Sequence, residues 1–403
     1  MMNIKDMRYT VTKNNKTLAL VLMAIGVVSI AYGFSISADR AWANLLLSNF
    51  YFLAVALAAT FFLALQYVAE VGWSVQLTRV FQAIGTFIPY AGVGMLIIFV
   101  FGHHHLYEWT HAEFYQKFLA DGKTPNPDYD EILVGKSGYL NIPFFITRMV
   151  VYVIIWSGLT YLLRKESLLE DIDGDIKRHK KMIKYSAIFL VTFAITSSTS
   201  AWDFIMSLDP HWFSTLFGWY TFMGLFVSGL AVMSLFTVYL KKNGYLENVN
   251  ENHLHDLGKY MFAFSIFWTY LWFAQFMLIW YANLPEEITY FMARFGHYKW
   301  LFIANVLINF FIPFLTFMKR DSKRRLNLIL IIGVIIFCGH WIDVYLMIMP
   351  ATIGQEWHIG IPEIGTTLGF AGAFIWVVLH SLSKTPMVPQ KHPMMGESLH
   401  FHL

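Results

Sequence analysis

Two aspartates lie inside hydrophobic segments of this chain at matching places. In TSSTSAWDFIMSLDPHW, Thr196 to Trp212, Asp203 stands seven residues before Pro210; in CGHWIDVYLMIMP, Cys338 to Pro350, Asp343 stands seven before Pro350. The match is partial, since Asp209 is opposite Met349. A carboxylate in an apolar span is expensive to keep and marks relays, pathways and ligand sites. Two at equivalent positions suggest a duplicated membrane unit with polar interior sites. His340, three residues before Asp343, falls on the same helix face. Imidazole and carboxylate at that spacing suit passing a proton or binding a quinol hydroxyl. The plainer alternative, for this pair and for Asp203, is a hydrogen bond across the bundle.

Further polar residues at depth are Gln275 in the seventh apolar segment, Glu70 at the inner end of the second, Asn305 and Asn309 in the eighth, and the run Thr196–Ser200. Each alone fits interhelical hydrogen bonding; together they suit a path toward Asp203 or Asp343. Of the histidines only His340 is deep, so the paired axial ligands of a two-haem cytochrome b are missing. His103, His104 and His105 offer metal-binding imidazoles, but an interfacial position without thiolates favours surface hydrogen bonding. The single cysteine, Cys338, excludes iron–sulfur ligation and disulfide scaffolds by this chain alone. No glycine-rich phosphate loop or nucleic-acid signature occurs, so no nucleic-acid partner is expected.

The elements that must hold these residues are membrane helices. The 403 residues are 57% hydrophobic and 14% charged, against about 25% charged in soluble domains, and the mean hydropathy is +0.51. Ten segments approach the ~20 residues that a helix needs to cross hydrocarbon: 17–37, 43–68, 82–102, 143–163, 184–207, 213–240, 257–283, 299–318, 326–349 and 364–383. The second is open to extension through AEVGWSVQLTRV, and Pro89 and Pro313 are candidate kinks. The expected fold is all-α and polytopic: two four-helix bundles plus two flanking helices. The divisions are 1–42 (amino terminus and first flanking helix), 43–212 (first bundle, with a long loop over 103–142), 213–350 (second bundle) and 351–403 (last helix and tail).

Lysine and arginine set the orientation. One side collects 22 of the 29, from Lys5 through the Arg164–Lys184 and Lys319–Arg325 clusters to Lys391; Arg40, Lys117, Lys123, Lys136, Arg148, Arg294 and Lys299 fall on the other. Both termini are therefore expected in the cytoplasm. No removable secretory signal is indicated. The long outer loop suggests a short amphipathic helix at Glu108–Leu119 and a docking role. LEDIDGDIKRHKKMIK reads as a solvated inner connector, and the tail PMVPQKHPMMGESLHFHL as an extended segment lying on another subunit. Tryptophans such as Trp268, Trp272 and Trp341 suit interface anchoring or the walls of a quinone site.

In AWDFIMSLDPHWFSTLFGWY, with ten spans, paired halves and the long loop after the third span, the chain resembles the NrfD-like, or polysulfide-reductase-anchor, membrane proteins. Within them it is most similar to the second quinone-type membrane subunit of bacterial alternative complex III, a quinol:cytochrome c oxidoreductase. The resemblance covers essentially the whole chain, and the quoted stretch is its most specific part. It implies a haem-free subunit with no cofactor of its own, menaquinol or another quinone as substrate, and iron–sulfur clusters and c-type haems on partners. The implied partners are a paralogous ten-helix subunit, a periplasmic iron–sulfur subunit, multihaem cytochrome c subunits, small membrane subunits and a terminal oxidase, and the implied location is a bacterial inner membrane; lipids are expected around so much apolar surface. Carried onto this sequence, the quinol site falls on Trp202, Asp203, His103, His104 and Glu108. Proton conduction falls on His340, Asp343 and Gln275, with Asp203 and Glu70 as further candidates. Two other functions stay open on the residues: a structural anchor for redox subunits without a quinol site, and a secondary transporter, whose duplicated halves and buried polar groups would look alike.

Overall fold

A computed structural model describes residues 7–119, 121 and 123–402; Lys5, counted above among the inner basic residues, lies outside them. The chain is an all-α, multi-pass membrane protein, and ten helical segments are long and apolar enough to span. Among the described residues there is no strand, only isolated bridges at Arg8–Pro386 and Phe118–Pro125. The spans are α1 (Lys13–Ile36), α2 (Ala38–Val68), α3 with α4 (Thr78–Gly85, Ile88–Leu106), α6 (Ile142–Asp173), α7 (Ile176–Phe204), α8 (Phe217–Lys242), α9 (Glu251–Ala282), α11 with α12 (Lys299–Val306, Ile312–Phe317), α13 (Leu326–Thr352) and α14 (Ile361–Ser383). Short helices α5 (Glu131–Lys136) and α10 (Pro285–Gly296) lie in the long loops, and α15 (Met395–Leu399) in the tail. Helices are required here because hydrocarbon offers no partner for backbone amides and carbonyls.

All ten expected spans are present, and their ends differ for physical reasons. Hydropathy locates the hydrocarbon boundary, whereas a helix stops where a cap stops it. Ser37 caps α2 through the Arg40 amide at 3.4 Å, so Arg40 lies in the first turn of a helix and is buried. The charged segment 169–184 is a tight helical hairpin and not a solvated loop. Gly174 takes φ +67°, which ends α6, and Asp175 caps α7 through the Lys177 amide at 2.9 Å. The second span does not continue through 69–80. Glu70, at φ 48°, closes α2, and the chain turns into α3. Pro89 lies in the first turn of α4, just after the turn at 86–87 that separates α4 from α3, while Pro313 follows a π turn at Leu307–Phe311.

The expected helix at Glu108–Leu119 is replaced by two 3₁₀ turns, Glu108–Thr110 and Ala112–Tyr115. The Asn126 amide captures the carbonyls of Glu113 and Gln116 at 2.8 and 2.9 Å, which a continuing helix would have used. Leu119 instead donates to the Thr124 carbonyl at 2.9 Å.

Packing centres on α2, which touches α3, α4, α7, α8, α13 and α14. Around it α4, α6 and α7 pack together, as do α8, α9, α11, α12 and α13. The flanking helices α1 and α14 pair with each other at glycine contacts: a Cβ on Gly26 would stand 2.4 Å from the Gly369 Cα. Such approach lets van der Waals contact hold helices that gain nothing from leaving lipid. The first described residues and the start of the C-terminal tail meet at one end of the bundle, where the Met387 amide donates to the Met7 carbonyl at 3.0 Å. The tail folds back over its own chain there. Ser398 donates to the Trp73 carbonyl at 2.8 Å, and Asn250 to the Phe401 carbonyl at 2.8 Å.

Candidate functional site

Asp203 and Asp343 both lie near the end opposite the termini, and both are fully buried. Their surroundings differ in kind. Arg148 and Tyr152, one turn apart on α6, both reach the Asp203 carboxylate. Arg148 donates from Nε to Oδ2 and from Nη2 to Oδ1, each at 2.9 Å, and the Tyr152 hydroxyl donates to Oδ2 at 2.8 Å. The third guanidinium nitrogen donates to the Tyr139 carbonyl at 3.0 Å, and the group stacks over the Tyr139 and Phe144 rings. Every strong polar atom has a partner. A fork-to-fork pair of this kind fixes geometry.

Asp343 is surrounded by neutral donors. The Tyr220 hydroxyl of α8 and the Asn305 amide of α11, at 2.7 Å, donate to Oδ1; the Trp268 indole of α9 donates to Oδ2 at 3.1 Å. Asn309, placed by the π turn, donates to the Asn305 carbonyl oxygen at 2.6 Å. Among the described residues no arginine or lysine forms an ion pair with Asp343; the one basic group beside it is His340, with Nδ1 3.8 Å from Oδ2. The His340 ring stands edge-on to Trp268 at 5.1 Å, and neither of its nitrogens has a hydrogen-bond partner. Gln275 is likewise buried with both amide atoms unpartnered. It lines a small cavity with Tyr220, Asn305 and Arg294, so the polar group continues from Asp343 toward α10. Arg294 is buried there, donates to the Tyr290 carbonyl at 2.6 Å and lies over the Tyr290 ring; burial pushes its guanidinium below the ordinary arginine range.

No family model and no curated protein matches this chain. The reading of the site therefore stands on its geometry.

The structure brings together Asp343, His340 and, through the shared cavity, Gln275. It leaves Glu70 apart, exposed at the end that carries the termini. The five residues of the implied quinol site share one end of the bundle without forming a joint cluster. His103 packs edge-on against His104 and Phe99, His111 donates from Nε2 to the His104 carbonyl at 2.7 Å, and Glu108 is exposed. None of them hydrogen-bonds to Asp203, and Trp202 keeps its indole N–H unpartnered on another face of α7. The Thr196–Ser200 hydroxyls mostly bond back to their own helix, except that Thr196 accepts from the Trp156 indole at 2.9 Å. Ser197 and Ser200 border an apolar cleft between α2, α7 and α8 that is walled by Phe50, Trp156 and Phe222.

Arg148, Tyr152, Tyr220 and Arg294 are site residues that pattern reading missed. Arg148 was readable by depth: it opens the fourth span as Asp203 closes the fifth, so antiparallel neighbours bring them level. A second locked pair, Arg40 with Glu363, joins α2 to α14 through two bonds of 2.7 Å, with Asn44 adding a third at 2.9 Å.

Proposed function

We propose that the chain is a haem-free membrane subunit of a quinol-oxidising respiratory complex, and that its own chemistry is proton conduction at Asp343 and His340. The observation that carries this reading is the buried Asp343 carboxylate, held by three neutral donors and bordered by the unpartnered nitrogens of His340. Buried polar groups are normally satisfied; two titratable groups in contact, one with both nitrogens unused, are suited to accept and release a proton. In this proposal a proton moves between the Asp343 carboxylate and the His340 imidazole, and Gln275 with water in its cavity carries it to the end near α10. The ion pair at Asp203 favours a scaffolding role for the first half, so electron delivery from quinol falls to partner subunits. The polarity of the lysine and arginine distribution supports cytoplasmic termini in a bacterial inner membrane. The proposed partners are a paralogous membrane subunit and periplasmic subunits carrying iron–sulfur clusters and c-type haems.

One observation favours a secondary transporter instead: the π turn at Leu307–Phe311 interrupts the span beside Asp343. Transporter sites favour broken helices. Here the span stays helical on both sides of the turn.

The test is isolation of the chain from native membranes in mild detergent through a tag on its amino terminus. The proposal expects co-purifying subunits with c-type haem spectra and quinol-dependent reduction of an acceptor. A chain that purifies without any redox partner, and that drives solute uptake in vesicles, would support the transporter.

A further inference from the structure

A second buried cluster lies at the opposite end of the molecule, where the tail meets the α6–α7 hairpin. Glu170 in the last turn of α6, His179 in the first turn of α7 and His392 in the tail are all buried, and their candidate ligand atoms lie within 4.8 Å of one another. Glu170 is 1% exposed, yet neither of its carboxylate oxygens has a hydrogen-bond partner. The nearest group is His179 Nδ1, 3.4 Å from Oε1 and itself unpartnered. The two imidazole rings stand 5.0 Å apart at 89°, and both face Tyr67, whose buried hydroxyl also lacks a partner. Leaving a carboxylate dry and unbonded costs several kcal/mol unless a cation joins it. Arg79 directs its two terminal nitrogens to Gln82, Ser167 and Asp171 and makes no bond to Glu170, though its Nε is also without a partner.

We propose that Glu170, His179 and His392 bind a divalent transition-metal ion of the zinc class, which pins the C-terminal tail to the α6–α7 hairpin. Two imidazoles and one carboxylate suit such an ion, whose ligands stand roughly 2.0–2.2 Å from the metal. Donors at that radius in a tetrahedron are about 3.4 Å apart, so the three groups need to close by little more than an ångström. A small cavity lined by Gln66, Tyr67, Glu70 and both histidines adjoins the cluster and supplies an entry path, with the exposed Glu70 beside it. Loading has one local cost: whichever ring nitrogen of His392 ligates, the bond from the Met394 amide to Nδ1, at 3.2 Å, is lost. The tail already rests here through the Gln390 amide to Asp171 at 2.7 Å, so the metal tightens a contact that exists without it.

The experiment uses the full chain purified without a polyhistidine tag, stripped with chelator and titrated with Co²⁺ and then Zn²⁺. About one Co²⁺ per chain should bind with the visible absorption of a low-coordinate site, and Zn²⁺ should displace it. His179→Ala with His392→Ala, and Glu170→Gln alone, should each weaken binding at least ~10-fold; comparison with these variants also subtracts any Co²⁺ held by the His103–His105 run. Tryptic cleavage after Lys391, followed by mass spectrometry on the unmutated chain, should slow about tenfold in Zn²⁺. That second readout stands even where a variant fails to fold. Equal Co²⁺ uptake by the unmutated chain and the variants, or tail cleavage indifferent to Zn²⁺, overturns the proposal and leaves Glu170 with the His179 imidazole as its neighbour.

Discussion

Asp203 and Asp343 occupy corresponding places in sequence, seven residues before a proline, and both are buried near the same end of the bundle. The first carries its counter-charge permanently, in a two-point bond to Arg148. The second has hydroxyl, indole and amide donors, and an imidazole just beyond hydrogen-bond reach. A fixed cation removes the reason for a carboxylate to take up a proton. Neutral donors supply no such fixed counter-charge at Asp343, and the proposed proton role rests on that difference. The pair teaches that a repeated motif conserves placement and leaves chemistry to the neighbours: Arg148 opens α6, while the corresponding surroundings of Asp343 are aromatic and amide side chains from α8, α9 and α11.

The largest expected effect tests the locked member. Arg148→Met or Asp203→Asn leaves a buried charge or a broken pair and should cost about 3–5 kcal/mol of stability, read as a lowered midpoint of thermal unfolding in detergent. Replacing both with apolar residues, Arg148→Met with Asp203→Leu, should restore most of that loss; a double variant as weak as either single one would mean that Asp203 does more than hold helices together. Asp343→Asn should be milder, about 1–3 kcal/mol, since the substituted amide turns one NH₂ toward groups that are already donors. Equal losses at the two aspartates would erase the distinction drawn between them.

Gln275→Leu sharpens the comparison from the other side. Its amide is buried with no partner, so an apolar replacement should stabilise the fold by roughly 1 kcal/mol while slowing proton movement. A stabilised variant with undiminished proton movement would remove Gln275 from the path. The smallest effect lies outside the membrane, at Asp130. Burial raises the pKa of its carboxyl, but His211 and the amides of Ile132 and Leu133 outweigh that and hold it below the ordinary value of 3.8. With the folded value below the unfolded one, the stabilisation is complete above the ordinary value and is lost as pH falls through the folded value. Protection against hydrogen exchange over 130–136, taken relative to the unfolded-chain rate at each pH, should therefore stay flat from neutral pH down to about 5 and fall only in stronger acid.

Much of this architecture was legible because hydrocarbon thickness sets segment length, and ten apolar segments can hardly be anything but ten spans. Helix ends were less legible. Arg40 and the segment 169–184 read as loops because hydropathy is silent about helix beyond the lipid, where Ser37, Gly174 and Asp175 set the boundaries. At the site, Asp203, His340 and Asp343 stood out as costly groups in apolar runs. Asn305 stood out with them, but the hydroxyl and indole partners did not, since Tyr152, Tyr220 and Trp268 are ordinary apolar-face residues until the packing of α6, α8 and α9 directs a hydroxyl or indole inward. The buried Glu170, His179 and His392 were hidden for a related reason: a charged stretch reads as solvated until the tail folds over it.

The account turns on whether Asp343 carries protons. Its most direct test is proton translocation per quinol oxidised by the intact complex in sealed vesicles, with Asp343→Asn against the unmutated chain and assembly checked by subunit composition. The account predicts that the variant assembles, and that the protons moved per quinol fall to those that quinol oxidation itself releases. Unchanged translocation by a fully assembled Asp343→Asn complex would contradict it.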